Sequence, residues 1–280
     1  MSITFSLIVA TINRYNELES LLLSLKNQQL PFAEFEVVIV DQNQQGFLEP
    51  LIKEYASSLT INYIHSNKRG ASLNRNIGLE HAKGSIVSFP DDDCTYYPDT
   101  LMKVKEYFTL HQNVDSLLGQ IIDIDNNKKM IRNWPDEEKK ISEHNFFMLY
   151  SQITVFTKQI NARFDEAFGV GVKYGAYEDA DYIFNVLQNS ISFMYTPTVK
   201  VWHPEQNVNV MSLQKVKDYS MGFGAFCRKH LSRKIGFLFL QAIGFHLFKI
   251  ILAIFTVNAE KITKSFASVQ YRLKGFYEYK

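Results

Sequence analysis

Apolar and polar positions in the first hundred residues follow two different periods. Residues 3–9 (Ile-Thr-Phe-Ser-Leu-Ile-Val) and 35–40 (Phe-Glu-Val-Val-Ile-Val) are short β-branched and aromatic runs that predict strands. Between them, Glu17 to Gln28 places Leu18, Leu21, Leu22 and Leu25 at spacings of three and four, which predicts an amphipathic helix. Two more strands are predicted over 61–65 and 85–89, flanking a helix over 71–82 that carries Leu73, Ile77 and Leu79. This alternation predicts an α/β fold with a Rossmann-like, mostly parallel sheet flanked by helices. Such sheets bind ligands beyond the carboxyl ends of the strands, where the strand order reverses. Asp41 and the triplet Asp91, Asp92 and Asp93 both fall at such ends.

The second half of the chain is less regular. Residues 123–145 are polar and predict a mobile excursion, and 146–160 are apolar again. Phe164 to Val172 reads as a glycine-bearing loop, and Glu178 to Leu187 as a helix that starts with acids.

Composition divides the molecule differently. A chain of 280 residues can bury one large core with an appendage. Two cysteines, Cys94 and Cys227, are too few for a disulfide framework and suit a reducing compartment. The N-terminal residues lack the basic start and long apolar core of a signal peptide, so a cytoplasmic body is expected. Residues 211–280 hold 12 Lys/Arg against 3 Asp/Glu, a balance of +9, while the other 210 residues hold 18 against 26, a balance of −8. A basic tail on an acidic body points to an anionic partner for the tail.

Five clusters carry candidate chemistry. The aspartate triplet is either an exposed acidic turn or a site for Mg²⁺ or Mn²⁺, whose hard ions prefer carboxylate oxygens. In an extended segment alternate side chains point the same way, so Asp91 and Asp93 would converge and Asp92 would point away. Thr11, Asn13, Arg14 and Asp41 lie at the ends of the first two strands, and either turn chemistry or a nucleoside pocket accounts for them. Arg69 and Arg75 flank a predicted helix start, and a guanidinium suits phosphate oxygens. Glu178 and Asp179 open a helix, where the dipole stabilises acids, and a carboxylate there could serve as a general base. His203, held extended by Pro204, would suit a metal ligand.

The ordered set Ala10-Thr-Ile-Asn-Arg14, Val38-Ile-Val-Asp41, Gly70 to Gly78, the aspartate triplet and Glu178-Asp179 resembles glycosyltransferase family 2 over about residues 3–205. The resemblance implies a GT-A fold. It also implies inverting transfer of a sugar from a nucleotide diphosphate-sugar, a UDP-sugar by preference, with Mn²⁺ or Mg²⁺. Thr11, Asn13, Arg14, Asp41, Arg69, Arg75, Asp91 and Asp92 would then face the donor nucleotide. Asp93, with Asp91 and His203, would hold the metal, and Asp179 would be the base. Apart from the resemblance, Glu178 and Trp134 are candidates either for the acceptor side or for supporting the residues that contact substrate. Ala10 stands where the family often has proline, and Gln42-Asn-Gln replaces a smaller acid-glycine-serine turn; neither change removes a side chain that the chemistry requires.

The implied domains are a catalytic one over 1–210, with a nucleotide half to about residue 100 and an acceptor half beyond it, and a helical tail over 211–280. In the tail, residues 235–257 form an apolar run whose length, at about 1.5 Å per residue, would just span a bilayer core of about 30 Å. Lys234, Gln241, His246, Lys249 and Thr256 are expected on one polar stripe, which favours a helix lying in the membrane interface with its basic residues on anionic headgroups. Packing against the catalytic domain or a second subunit, as in a homodimer, is the alternative. The expected partners are a nucleotide-sugar and a saccharide or lipid-linked saccharide acceptor of surface polysaccharide synthesis, with no nucleic acid. The rival functions are a polyprenyl-phosphate sugar transferase and a non-catalytic sugar-nucleotide-binding scaffold of a membrane complex.

Overall fold

A computed structural model of the chain describes residues 3–158, 162–205 and 211–280. They divide into two compact units, one of residues 1–164 with 182–206 and one of residues 165–181 with 207–280. The loop 165–181 therefore groups with the C-terminal helices, and the expected boundary at residue 210 lies outside the described residues.

In the first unit, strands β1 (Phe5–Thr11), β2 (Phe35–Asp41), β3 (Ile61–His65) and β4 (Ile86–Ser88) form a parallel set in the order β3-β2-β1-β4. β1 and β2 are buried along nearly their whole length, as their unbroken apolar runs predict. Helix α1 (Tyr15–Lys26) connects β1 to β2 and buries the four predicted leucines. A short helix α2 (Glu49–Tyr55), absent from the sequence expectation, precedes β3. Strand order reverses across the β1–β4 pair, because β2 and β3 lie on one side of β1 and β4 on the other.

Helix α3 (Ala71–His81) departs from its apolar pattern. It buries Ser72, Asn74, Arg75, Asn76 and Gly78, while Leu73, Ile77 and Leu79 are only half-buried. The cause is close approach to the sheet: a Cβ on Gly78 would overlap Ile8 Cγ2 and lie 3.4 Å from Val40 Cγ2. Much of the buried polar face is satisfied locally, although Asn74 Oδ1 has no hydrogen-bond partner. Asn76 donates to the Phe164 carbonyl and accepts from its N–H, both at 2.9 Å, and Asn74 donates to the carbonyls of Lys68 and Gly70.

The second half of the sheet is mixed, so the sheet is mostly but not purely parallel. After β5 (Thr95–Tyr96) and α4 (Thr100–Leu110), β6 (Ser116–Asp123) runs parallel to the first four strands' direction. The chain then forms β7 (Lys128–Lys129), β8 (Lys139–Lys140) and a short α5 (Phe146–Leu149) before β9 (Val155–Lys158) enters between β4 and β6, antiparallel to both. No long crossover helix carries the chain back to the other sheet edge, so the return must be antiparallel. β10 (Phe193–Trp202) pairs parallel with β6 and antiparallel with β5.

The polar excursion over 123–145 is also anchored. β7 pairs with β6, β8 pairs with β10, and Trp134 is 1% exposed. Its indole N–H donates to the Met130 carbonyl at 2.8 Å, and its ring stacks on Tyr195 at 6.2 Å. Trp134 is thus packed into the core of this unit.

Helix α6 (Glu178–Asn189) starts in the second unit and continues into the first. The rest of the second unit is helical: α7 (Leu213–Lys229), α8 (Arg233–Phe255) and α9 (Ala259–Glu278). Ser212, Ser232 and Asn258 cap their starts by accepting from Lys215, Ile235 and Lys261 N–H groups. α7 and α9 touch backbone to backbone, since a Cβ on Gly224 would overlap the Arg272 carbonyl and one on Gly275 the Met221 carbonyl.

α8 is long and apolar enough to cross a membrane by length and composition. Ile235, Phe239 and Ala253 are buried, whereas Phe237, Leu240, Phe245, Phe248, Ile251 and Phe255 are exposed. The expected polar stripe does not hold as drawn. His246 lies on the packed side, where burial, helped by Arg272 and Lys249, pushes its pKa down to about 4. Lys234, Gln241, Lys249 and Thr256 remain exposed.

Replacing Gly78 with alanine is expected to cost about 1–3 kcal/mol through overpacking of α3 on β1. Denaturant unfolding checks this, and no change in midpoint would contradict the close approach.

Candidate active site at the carboxyl edge of the sheet

The loops after β1, β2 and β3 are stitched together by side chains. Asn13 takes a left-handed backbone (φ 58°), and its N–H donates to Asn43 Oδ1 at 2.7 Å. Asp41, fully buried, accepts from the Asn43 N–H at 2.8 Å, from its amide at 2.6 Å and from the Tyr63 hydroxyl at 2.7 Å. Burial, then the bond to Asp41, pushes the Tyr63 hydroxyl pKa up, so it stays a donor. Gln42 Oε1 accepts from Gly70 N–H at 3.0 Å and His65 Nε2 meets the Asn43 carbonyl at 2.9 Å. Tyr63 and His65 were not singled out in the sequence, and Gln42 and Asn43 only as a departure from the family's turn. Tyr63 and His65 are two apart on β3, and that alternation was the available signal.

The aspartate triplet follows β4 as a turn, closed by Cys94 N–H donating to the Asp91 carbonyl at 3.2 Å. The extended alternation assumed from sequence is therefore replaced by a bend, yet Asp91 and Asp93 still converge. Each carboxylate meets its own partner. Asp91 pairs with Arg75 at 2.9 Å, and that guanidinium lies 5.5 Å from the Phe164 ring. Asp92 turns back toward β1 and accepts from the Thr11 hydroxyl at 2.7 Å. Burial, with its two like-charged neighbours, raises the Asp92 pKa to about 6 against the pull of that bond. Asp93 lies 3.3 Å from His203 Nε2 and 3.6 Å from Arg14. The His203 bond holds Asp93 below the usual carboxylate range. Burial opposes charge on His203, but its bond to Asp93 raises the imidazole pKa overall.

Ligand atoms of Asp91, Asp93 and His203 all lie within 4.8 Å of one another. His203 Nδ1 faces the Pro204 carbonyl at 2.8 Å, so this nitrogen carries the proton and Nε2 is the one turned to the carboxylates. Two carboxylate oxygens and one imidazole nitrogen suit Mn²⁺ or Mg²⁺, so the donor set fits the expected ion. Thr11, Arg14, Arg75, the triplet and His203 are thus brought together in the first unit. Asn13 and Asp41 are linked to each other through Asn43 in the neighbouring loops. Arg69 is exposed on the loop before α3, outside this network. Glu178 and Asp179, half-buried in the first turn of α6, belong to the second unit.

A family model described as Glycosyl transferase family 2 matches residues 6–179. The minor teichoic acid biosynthesis protein GgaB of Bacillus subtilis (strain 168) is 27% identical over 69% of this chain, which spans 24% of GgaB's length. The Staphylococcus aureus TarS 1-349 structure in complex with UDP-GlcNAc superposes with a TM-score of 0.64 at 16% identity, covering 98% of this chain and 92% of that one. The mannosyltransferase PcManGT from Pyrobaculum calidifontis, in complex with GDP-Man and Mn²⁺, gives 0.63 at 15% identity over 100% and 89% of the two chains. These structures share the GT-A-like mixed α/β fold. The model match runs from the first strand through the acidic start of α6, and on that extent the chain belongs to glycosyl transferase family 2.

Proposed function

We propose that this chain is an inverting, metal-dependent glycosyltransferase. It moves a sugar from a nucleotide diphosphate-sugar, a UDP-sugar by preference, to a hydroxyl of a saccharide or lipid-linked saccharide in surface polymer synthesis. The observation that carries the reading is the convergence of Asp91, Asp93 and His203, ringed by Arg75 and Arg14, where strand order reverses. The polymer class follows GgaB, whose name places it in teichoic acid biosynthesis.

In this reading Asp91, Asp93 and His203 hold Mn²⁺ or Mg²⁺. When bound, the ion neutralises negative charge building on the leaving diphosphate. Arg75 already pairs with Asp91 and adds a fixed cation for phosphate oxygens. Thr11, Asn13, Arg14, Asp41 and Asp92 shape the nucleoside end, and exposed Arg69 closes on the diphosphate. Asp179 takes the proton from the acceptor hydroxyl as that oxygen attacks opposite the leaving group, and Glu178 lies on the acceptor side.

The tail reading is a cytoplasmic enzyme lying on the inner face of the membrane. It is supported by the outward run of Phe237, Leu240, Phe248, Ile251 and Phe255 on α8, together with the +9 balance of residues 211–280. α8 also buries a stripe along its length, which favours lying along the interface over crossing the bilayer.

Asp179→Asn is expected to keep UDP binding in the presence of Mn²⁺ and to lower sugar transfer at least 100-fold; transfer at the wild-type rate would sink the base assignment. By isothermal calorimetry, Asp93→Ala should lose the Mn²⁺-dependent part of UDP binding, and an unchanged Mn²⁺ dependence would remove Asp93 from the metal site. Screening UDP-Glc, UDP-GlcNAc, UDP-Gal and GDP-Man for thermal stabilisation with Mn²⁺ selects the donor. In flotation assays the chain should rise with phosphatidylglycerol vesicles, and Phe248→Glu with Phe255→Glu should abolish this. A wild-type chain that stays at the bottom, or dimerises through α8 in light scattering, would refute the membrane reading.

A further inference from the structure

The first turn of α6 carries the acid assigned as the base, and both ends of that turn are fixed by side chains that the family motif does not include. At its start, Tyr177 has a left-handed backbone (φ 78°), unusual for an aromatic residue. Its ring is held between Phe223 at 5.5 Å and Phe226 at 5.9 Å, both on α7. The Tyr177 carbonyl accepts the Asp181 N–H at 2.9 Å, so residues 178–180 lie inside a single closed turn.

At its end, Asp181 is fully buried. Its Oδ2 accepts from Lys229 Nζ at 2.8 Å, and its Oδ1 meets His230 Nε2 at 2.8 Å. Lys229 donates also to Asp165 Oδ2 at 2.9 Å, where the Tyr279 hydroxyl donates at 2.8 Å. One ammonium therefore bridges two carboxylates from segments 16 residues apart in the chain, and Lys229, His230 and Tyr279, at or just past the ends of α7 and α9, face them. A buried carboxylate without such partners carries a large desolvation cost, so Asp181 cannot leave this position without unpairing.

We infer that Asp181, Lys229 and His230, braced by Asp165 and Tyr279, are positioning residues that fix the first turn of α6 and with it the direction of the Asp179 carboxylate. The tail over 211–280 is then part of the catalytic apparatus as well as a membrane contact. The inference deepens the proposed function and rests on Asp179 as the base. A carboxylate that must meet a hydroxyl within hydrogen-bond distance loses rate on small displacements, which is why such a turn needs a rigid hold.

The test uses the full chain and Lys229→Met, which removes the bridging charge at similar length. Three quantities are read: turnover with the donor selected from the four sugar nucleotides, the dissociation constant for UDP with Mn²⁺, and hydrogen exchange of amides in residues 177–183. Lys229→Met should lower kcat at least 10-fold, leave UDP affinity within twofold, and raise exchange in 177–183 while residues 5–14 stay protected. Lys229→Arg should recover at least half of the lost kcat. Unchanged exchange in 177–183, unchanged kcat, or UDP affinity falling in step with kcat would each overturn the inference. Should Lys229→Met not fold, Tyr279→Phe removes one bond to Asp165 and leaves the ammonium. It should then raise exchange in 177–183 with UDP affinity intact, and wild-type exchange there would overturn the inference. Failure of the functional reading shows separately, as a wild-type chain that binds neither UDP nor GDP.

Discussion

Three adjacent carboxylates at the end of a buried strand are the constraint around which the first unit is built. Like charges this close destabilise one another unless each is screened or neutralised, and here each has a different remedy. Asp91 has a guanidinium, Asp93 an imidazole with a second guanidinium further off, and Asp92 a hydroxyl donor, with burial raising the pKa of the Asp92 carboxyl to about 6. The geometry of α3 follows from the first of these. Arg75 reaches Asp91 only from a helix that turns its polar face to the sheet, and that face approaches closely because Gly78 has no side chain. Asn76 then secures the Phe164 backbone, whose ring lies near the Arg75 guanidinium. Residues far apart in sequence thus serve one electrostatic problem.

The same arrangement explains what could be read from sequence. β1 and β2 were legible because both of their faces are buried, which leaves uninterrupted apolar runs. α1 was legible because only one face is buried and the leucines mark it. In α3 the pattern misled, since most of its buried residues are polar and bond to partners that no local period reveals. The antiparallel entry of β9 was illegible for a topological reason: direction depends on the connection, and residues 123–145 carry their anchors singly, as Trp134, Met130 and Ile141, among charged neighbours.

Within the candidate site, Asp91, Asp93 and His203 were legible from residue type and from position at strand ends. Their convergence arises by a different route from the one expected, because the triplet bends into a turn where the reading had it extended. Asn43 and Tyr63 were not legible. Their contribution is to hold Asp41 by three hydrogen bonds, and a residue that acts through a neighbour's carboxylate leaves no motif of its own. Arg69 shows the converse: its sequence setting resembles that of Arg75, but only Arg75 lies on the buried helix face.

The tail carries the same lesson in its strongest form. Composition marked residues 211–280 as a separate basic segment, and the structure groups them with 165–181, which contain the acids of α6's first turn. A non-glycine residue in the left-handed region costs about 1–3 kcal/mol, and such a conformation persists only where its surroundings over-determine it. For Tyr177 the surroundings are two phenylalanines of α7, and four residues later Asp181 is held by Lys229 and His230 from the end of the same helix. Strain at one end of the turn and a buried ion pair at the other are both sustained by α7, which α9 in turn clasps through Gly224 and Gly275. The basic charge of the tail is therefore divided. Lys229 is spent inside the fold on two carboxylates, while Lys234 and Lys249 stay exposed on α8.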